Sequence, residues 1–409
     1  MKRLIWLGCL SYMVIGMAHV VAGAVLLPLI GAYGVEYGDG GQFIMNQFLG
    51  FLAGVLAAPY VIRRLGRRGS LILALGCLTA AEAVYSLLPP WGWLLAFAPL
   101  AGIGFGMTES VLGAIIIGFV TDGKATAMAK LETFFGGGAL VMPALAGLLI
   151  RLDVWQMVFP IVTAMSGVAM LLWMTLSFGK TDALIAFRAS AATGRPAAER
   201  ARYAPAAWPL LAAGMLYFAL YVGMEMSCSN YLPAILLERT GMDEAAASAS
   251  ISVFWGLMVV GRLFAGRIAD RSGYFRYLLV STAGGTGMLV LLSLTGSPVL
   301  SLIWVGFAGL LWSGVFAVAL LYVNERIPGM TERTTSLLIA SGGIGSALLP
   351  RATGWFMDRF GAGGTLWLVA SAAAMLIVLL GFMALTIRMN RGRLSSGLAA
   401  EGGRHRTGA

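Results

Sequence analysis

Charged side chains are scarce in this chain. Only 11% of its 409 residues are Asp, Glu, Lys or Arg, against about 25% in an ordinary soluble domain, so a water-bathed surface cannot be built from it. Histidine is scarcer still, with only His19 and His405. The three cysteines, Cys9, Cys77 and Cys228, all fall in apolar stretches with neither a pairing pattern nor metal-ligand spacing. These shortages exclude a disulfide scaffold and leave no His/Cys/carboxylate cluster for a metal. No enzyme motif stands out, and no cofactor is expected. The partial glycine pattern Gly102-Ile-Gly-Phe-Gly106 has no strand before it and no phosphate-cradling loop, and no Ser/His/Asp arrangement rises above chance.

What the chain does contain is apolar length: 59% hydrophobic residues and a mean hydropathy of +0.85. A membrane-crossing helix needs about 20 apolar residues. Twelve stretches qualify, at roughly 4–31, 42–62, 70–88, 93–119, 128–150, 154–178, 207–237, 245–266, 276–296, 299–323, 334–356 and 363–387. The start has the short basic lead of a signal peptide, but its apolar run continues to about Gly31 and eleven more follow, so it reads as an uncleaved first span.

With the N-terminus in the cytoplasm, about 22 of the 28 Lys and Arg lie inside. Only Arg151, Arg239 and Arg359 then fall in outer loops, while Lys130, Arg262 and Arg351 lie within spans. The expected setting is a bacterial inner membrane, crossed many times, with both termini cytoplasmic. The pI of about 9.8 reflects basic loops facing anionic lipid head groups rather than nucleic acid. A monomer is the expected working unit.

The longest polar interval, 179–206, is rich in Ala and Arg and has no apolar period. It reads as a cytoplasmic linker between an N-terminal half, 1–178, and a C-terminal half, 207–387, followed by a tail, 388–409. The halves echo one another at a fixed offset of 207 residues. Gly136, Gly138, Pro143 and Gly147 in span five match Gly343, Gly345, Pro350 and Gly354 in span eleven, and Arg64 and Gly66 after span two match Arg271 and Gly273 after span eight. Duplicated halves around a midplane site are a common construction in secondary transporters. A further echo, "GWFMDRFG" at 354–361, fits an inverted repeat within the second half.

The segment Gly266-Arg-Ile-Ala-Asp270-Arg271-Ser-Gly273 carries the pattern G-x-x-x-D-R-x-G on a tight cytoplasmic turn. Asp and Arg there can cap helix ends and form a state-dependent ion pair, while the glycines permit the turn. The first-half copy departs from it, with Pro59 at the first Gly position and Arg63 at the Asp position. With twelve spans and duplicated halves, the chain resembles the major facilitator superfamily over essentially its whole length. The resemblance implies an all-α membrane fold of twelve transmembrane helices in two pseudo-symmetric six-helix halves, working by alternating access. It also implies a gating role for Gly266, Asp270, Arg271 and Gly273, with Arg64 and Gly66 as the first-half counterparts.

"GFGMTES", "LETFFGGGALVMP", "LYVGMEMSCSNYLP", "FWGLMVVGRLFAG" and "IASGGIGSALLP", in spans four, five, seven, eight and eleven, resemble the fucose-galactose-glucose/proton symporters more narrowly. Glu109 stands where that family often has an acid. Gly113 and Ala129 replace its asparagines, and Glu132 replaces a common His. The resemblance implies proton-coupled uptake of a small polar solute, with a monosaccharide as the leading guess. The rival expectation is proton-driven efflux of a drug-like amphipathic cation, favoured by three acids near one path.

A charged side chain at the bilayer centre costs about 2.5–3.5 kcal/mol on insertion scales, so each intramembrane acid is a functional candidate. Glu109 lies some ten residues, about 15 Å, from the cytoplasmic end of span four, too deep to snorkel. Glu225 is midway along span seven, and the 207-residue offset sets it beside Ala18 and His19 of span one. Glu109, Glu225, His19 and Glu132 are the proton or substrate candidates.

Lys130 and Glu132 open span five and can also be read as interfacial charges, and Glu82 in span three is expected at the periphery near the outer end. Arg262 is expected to anchor or pair with another cytoplasmic helix end. Asn46, Gln47, Tyr221, Asn230, Tyr231, Trp255, Trp304 and Trp312 could supply hydrogen bonds and ring faces to the cavity.

Overall fold

The computed structural model describes residues 2–119, 124–179, 203–327 and 330–404, and most of the 179–206 interval and the end of the tail lie outside them. All regular structure among the described residues is helical, as it must be where lipid offers the backbone no hydrogen bonds. Span one is two pieces, α1 (Lys2–Ala24) and α2 (Leu26–Tyr33). Spans two and three are one continuous run, α3 (Tyr37–Ser86), reversed at Gly66. Spans four to nine are α4 (Trp91–Phe119), α5 (Lys124–Arg151), α6 (Val158–Thr175), α7 (Trp208–Thr240), α8 (Glu244–Ser272) and α9 (Tyr274–Leu294).

Span ten divides into α10 (Pro298–Trp312) and α11 (Val315–Asn324), and spans eleven and twelve share α12 (Thr331–Arg404), reversed at Gly361. The 50 residues of α3 would measure about 75 Å if straight, more than twice a hydrocarbon core of about 30 Å. Among the described residues ten helices are long and apolar enough to cross a membrane. Two of these double back, which gives twelve crossings among the described residues.

Both reversals use a glycine backbone that other residues avoid: φ 72, ψ 174 at Gly66 and φ 64, ψ −173 at Gly361. Gly273, the repeat-mate of Gly66, turns the chain from α8 into α9 at φ 85. The bundle therefore has a terminal end, with Lys2 and the Gly66 and Gly273 turns, and a far end, with Tyr37, Trp91, Arg151, Thr240 and Gly361.

The duplication is visible in the packing. A Cβ on Gly102 would run into the Gln47 carbonyl, and one on Gly309 into that of Phe254. A Cβ on Gly54 would meet the Ile103 carbonyl, and one on Gly261 that of Leu310. In both cases the two members differ by 207 residues on each side of the contact, so spans two and four cross as spans eight and ten do. Gly16 and Gly138 hold α1 against α5, and Gly223 and Gly345, again 207 residues on, hold α7 against α12. Small residues allow this backbone approach where lipid-facing apolar surface supplies no hydrophobic drive between helices.

The C-terminal edge of the polar interval is structured. Tyr203 is buried, with its hydroxyl 3.2 Å from Thr334 Oγ1, and Pro205–Ala207 form a helical turn leading into α7. The polar composition at 203–206 therefore conceals a short structured lead-in. At the other boundary, α12 runs past residue 388 to Arg404.

Candidate functional site

The deepest functional candidates converge where the halves meet. His19, on α1, sits edge-on to four phenylalanine rings: Phe48 at 4.9 Å, Phe51 at 6.4 Å, Phe105 at 5.2 Å and Phe135 at 5.4 Å between centroids. These rings come from spans two, four and five. Across the halves, His19 Nε2 is 3.2 Å from Sδ of Met226, its own repeat-mate, while Nδ1 has no partner among the described residues. The sequence offset thus predicts a physical contact, and it sets Glu225, one residue earlier, at the same depth.

Glu225 is buried on α7, and Arg262 is the cation that acts on it electrostatically. Arg262 links several candidates. Its guanidinium lies 3.9 Å from the Glu132 carboxylate in the other half, 5.8 Å from the centre of the Trp255 ring, and donates to Met258 Sδ at 3.5 Å. Trp255 in turn contacts Phe135 of the His19 cage at 6.1 Å and donates to Ser229 Oγ at 2.9 Å.

Glu109, partly exposed on α4, lies in electrostatic range of Glu132. Its backbone carbonyl accepts from the Tyr12 hydroxyl at 3.3 Å, which ties α1 to α4 at that level. Glu132 and Glu225, from opposite halves, therefore share one guanidinium, and Glu109 extends the acidic path beyond Glu132. With all three ionised, one guanidinium would stand against three negative charges.

Arg262 was expected to pair near a cytoplasmic helix end. It does pair, but at the hub of the candidate site, a role that one Arg in an apolar run does not reveal. Glu132 is 48% exposed and faces it. Lys130, two residues away on the other side of the helix, lines a separate cleft of about 290 Å³ with Ile5, Trp6, Cys9 and Phe134.

Most of the neutral candidates tie helices together. Asn46 Nδ2 donates to the Leu95 carbonyl at 3.1 Å, Tyr221 to that of Trp312 at 2.9 Å, and Asn230 Nδ2 to Met226 of its own helix at 2.8 Å. Trp304 Nε1 lies 3.2 Å from Thr295 Oγ1 at the far end. Trp312 is buried, with its ring against Gly285. Gln47 is buried on span two beside Tyr85 of span three rather than lining the His19 cage. Glu82 requires correction: it is fully buried, not peripheral.

Tyr231 belongs to a closure at the far end. Its hydroxyl donates to the Tyr37 carbonyl at 2.9 Å, across the halves. The two carboxylate oxygens of Asp358 accept from the backbone N–H groups of Tyr37 at 2.9 Å and Gly38 at 2.7 Å, the opening turn of α3. Arg351 donates to the Gly38 carbonyl. Further from that end, Ser248 Oγ bonds to the Ala24 carbonyl at 2.7 Å and Ser252 Oγ to that of Leu140 at 2.7 Å.

At the terminal end, Asp270, Arg271 and Gly273 are exposed, and a Cβ on Gly266 would meet nothing within 4 Å. In the first-half turn Arg64 lies over the Tyr60 ring at 4.8 Å. Arg68, not singled out from the sequence, caps the end of α6 through the carbonyls of Trp173, Met174 and Leu176.

The Major Facilitator Superfamily model matches residues 8–350. The glucose/mannose transporter GlcP of Bacillus subtilis (strain 168) is 28% identical over 359 residues, covering 86% of this chain and 87% of that protein. Among solved structures, a nucleoside transporter superposes with a TM-score of 0.77 at 11% identity, covering 93% of this chain and 99% of its own. A D-xylose-proton symporter gives 0.75 at 12%, covering 93% and 96%. Those two likenesses speak to the fold alone. Family match, helix count and duplicated packing agree: this chain belongs to the Major Facilitator Superfamily and is a membrane transporter.

Proposed function

We propose that the chain is a proton-coupled symporter of a small polar organic solute, with a hexose as the first candidate, in a bacterial inner membrane with both termini cytoplasmic. The observation that carries the coupling is that Glu132 and Glu225, from opposite halves, share the single guanidinium of Arg262, with Glu109 in electrostatic range of Glu132. Protons neutralise the excess carboxylates and lower the cost of moving the site through a low-dielectric barrier. His19, edge-on to four rings and touching Met226, registers the relative position of the halves.

The far-end closure fits the occluded side of an alternating-access cycle, with the site reached from the cytoplasm. The hexose rests on the similarity to the glucose/mannose transporter over most of both chains.

One observation favours the rival substrate. The rings of Phe48, Phe51, Phe105 and Phe135 present an aromatic enclosure with few free hydrogen-bond groups, which suits an amphipathic cation. Counterflow in proteoliposomes with labelled D-glucose, D-mannose and a cationic dye, with and without a pH gradient, separates the two. Hexose exchange that becomes concentrative under an inward proton gradient is expected, and Glu109→Gln keeps exchange but loses concentration. Exchange of the dye alone overturns the substrate, and hexose exchange indifferent to the gradient overturns the coupling.

A further inference from the structure

Span three carries an acid that the path around Arg262 does not use. Glu82 is 0% exposed, and neither of its carboxylate oxygens has a hydrogen-bond partner among the described residues. Gln47 Nε2 and the Tyr85 hydroxyl are buried as well and reach no hydrogen-bond partner in good geometry other than one another. The cost of leaving such groups unpaired is about 1–3 kcal/mol each, more for a charge.

These three side chains belong together through the geometry of α3. Because the helix reverses at Gly66, spans two and three are antiparallel, and the rings of Phe43 and Tyr85 meet at 5.4 Å. Four residues from Phe43 toward Gly66 lead to Gln47, and three from Tyr85 in the same direction lead to Glu82, roughly 6 Å and 4.5 Å along the two axes. Amide and carboxyl stand at one level, with the phenol beside both. Phe159 of α6 closes on the Tyr85 ring at 5.7 Å, and Trp91 of α4 on Phe43 at 6.1 Å.

Arg351 of α12, which also packs on α3, is engaged with the Gly38 carbonyl at the far end, and the helix stretches around Glu82 supply no other cation. Residues 37–62 and 70–86 of α3, all of α4 and all of α6 contain no Lys or Arg, and their only other acids are Asp39 at the far end and Glu109 toward the terminal end. An ionised carboxylate buried among apolar helices is neutralised or it is not tolerated. The neutralising charge at Glu82 must come from solution.

We propose that Glu82, Gln47 and Tyr85 form a site for one monovalent cation, a proton or a sodium ion, inside the first half and separate from the path around Arg262. A single carboxylate sets the charge at one, since a divalent ion would leave a positive charge with no second acid to meet it. A proton makes Glu82 a neutral hydrogen-bond donor to the amide or phenol. Sodium would take oxygens from Glu82, from Tyr85 and from Gln47 after a half turn of its amide. The site goes beyond the coupling reading above and does not depend on knowing the substrate.

The test is thermal unfolding of the full-length chain in lipid nanodiscs, followed by tryptophan fluorescence between about pH 5 and pH 9, in NaCl and in choline chloride of equal ionic strength. Wild type is compared with Glu82→Gln, Tyr85→Phe and, as a control acid, Glu109→Gln. If the occupant is a proton, the wild-type midpoint falls as pH rises, because the unfolded chain releases what the folded chain holds. Glu82→Gln makes that fall shallower by one proton's share, leaving the part owed to the acids around Arg262, and Glu109→Gln leaves the Glu82 share in place. If the occupant is sodium, NaCl raises the midpoint over choline at alkaline pH in wild type and not in Glu82→Gln. Tyr85→Phe weakens either dependence about tenfold in cation concentration, and it carries the test alone should Glu82→Gln fail to fold. PH and sodium dependences unchanged in both variants overturn the site.

Discussion

Two turns of this protein share the pattern G-x-x-x-D-R-x-G and have opposite fates. At 266–273 the motif lies at the terminal end, with Asp270 and Arg271 exposed and no neighbour near Gly266. At 354–361 it lies at the far end, where Asp358 accepts two backbone N–H groups from the opposite half and a Cβ on Gly354 would collide with the Tyr231 hydroxyl. Both close on a positive-φ glycine, Gly273 and Gly361. The local sequence dictates the turn, and the state of the bundle dictates whether its acid reaches the opposite half, as Asp358 does, or only its own neighbour Tyr274, as Asp270 does. In an alternating-access cycle the two motifs are expected to exchange roles.

The sharpest way to break this comparison is Asp358→Ala. It removes two hydrogen bonds to a charged acceptor, each worth about 1.5–3 kcal/mol, from a contact that exists only while the far end is closed. Labelling of Cys228, buried on α7, by a membrane-impermeant maleimide from outside reads that equilibrium in a Cys9→Ser, Cys77→Ser background. A rise of at least about tenfold is expected, since about 1.4 kcal/mol is a factor of ten. An unchanged rate would mean that Asp358 decorates the closure without holding it.

The same contrast marks how much could be read from the sequence. The crossings were legible because apolar length is a one-dimensional property, and so was the duplication, whose 207-residue offset recurs in the structure where His19 meets Met226. Engagement was not legible. Arg351 and Arg262 look alike, each a single cation in an apolar run, yet one bonds to the Gly38 carbonyl at the closure and the other faces Glu132 and Trp255. Glu82 misled because span three is expected at the outside of the bundle, whereas its side chain is turned inward and fully buried. Most of the neutral candidates are committed to helix ties, which residue type cannot foretell.

A smaller effect isolates what the two turns share. Gly361→Ala and Gly273→Ala each force a side chain into a backbone region kept by glycine, at a cost of about 1–3 kcal/mol. Neither introduces a hard collision: a Cβ at Gly361 comes 3.7 Å from Glu238 Oε2, and one at Gly273 meets nothing within 4 Å. Similar drops in unfolding midpoint are therefore expected for both. Only the far-end variant should also raise Cys228 labelling, because Asp358 is carried by the turn that Gly361 shapes.

The smallest effect on stability is expected from Asp270→Ala. With the far end closed, Asp270 is exposed, and a surface substitution of this kind changes stability by no more than about 0.5 kcal/mol. If its role mirrors that of Asp358, the loss falls on the other state, in which the terminal end closes and the acid finds a helix start to cap. The variant should unfold like wild type and leave Cys228 labelling from outside unchanged or reduced, while hexose exchange slows because the state closed at the terminal end is less populated. A midpoint drop as large as that of Asp358→Ala would mean that the terminal-end turn is already engaged when the far end is closed, and the proposed exchange of roles would fall.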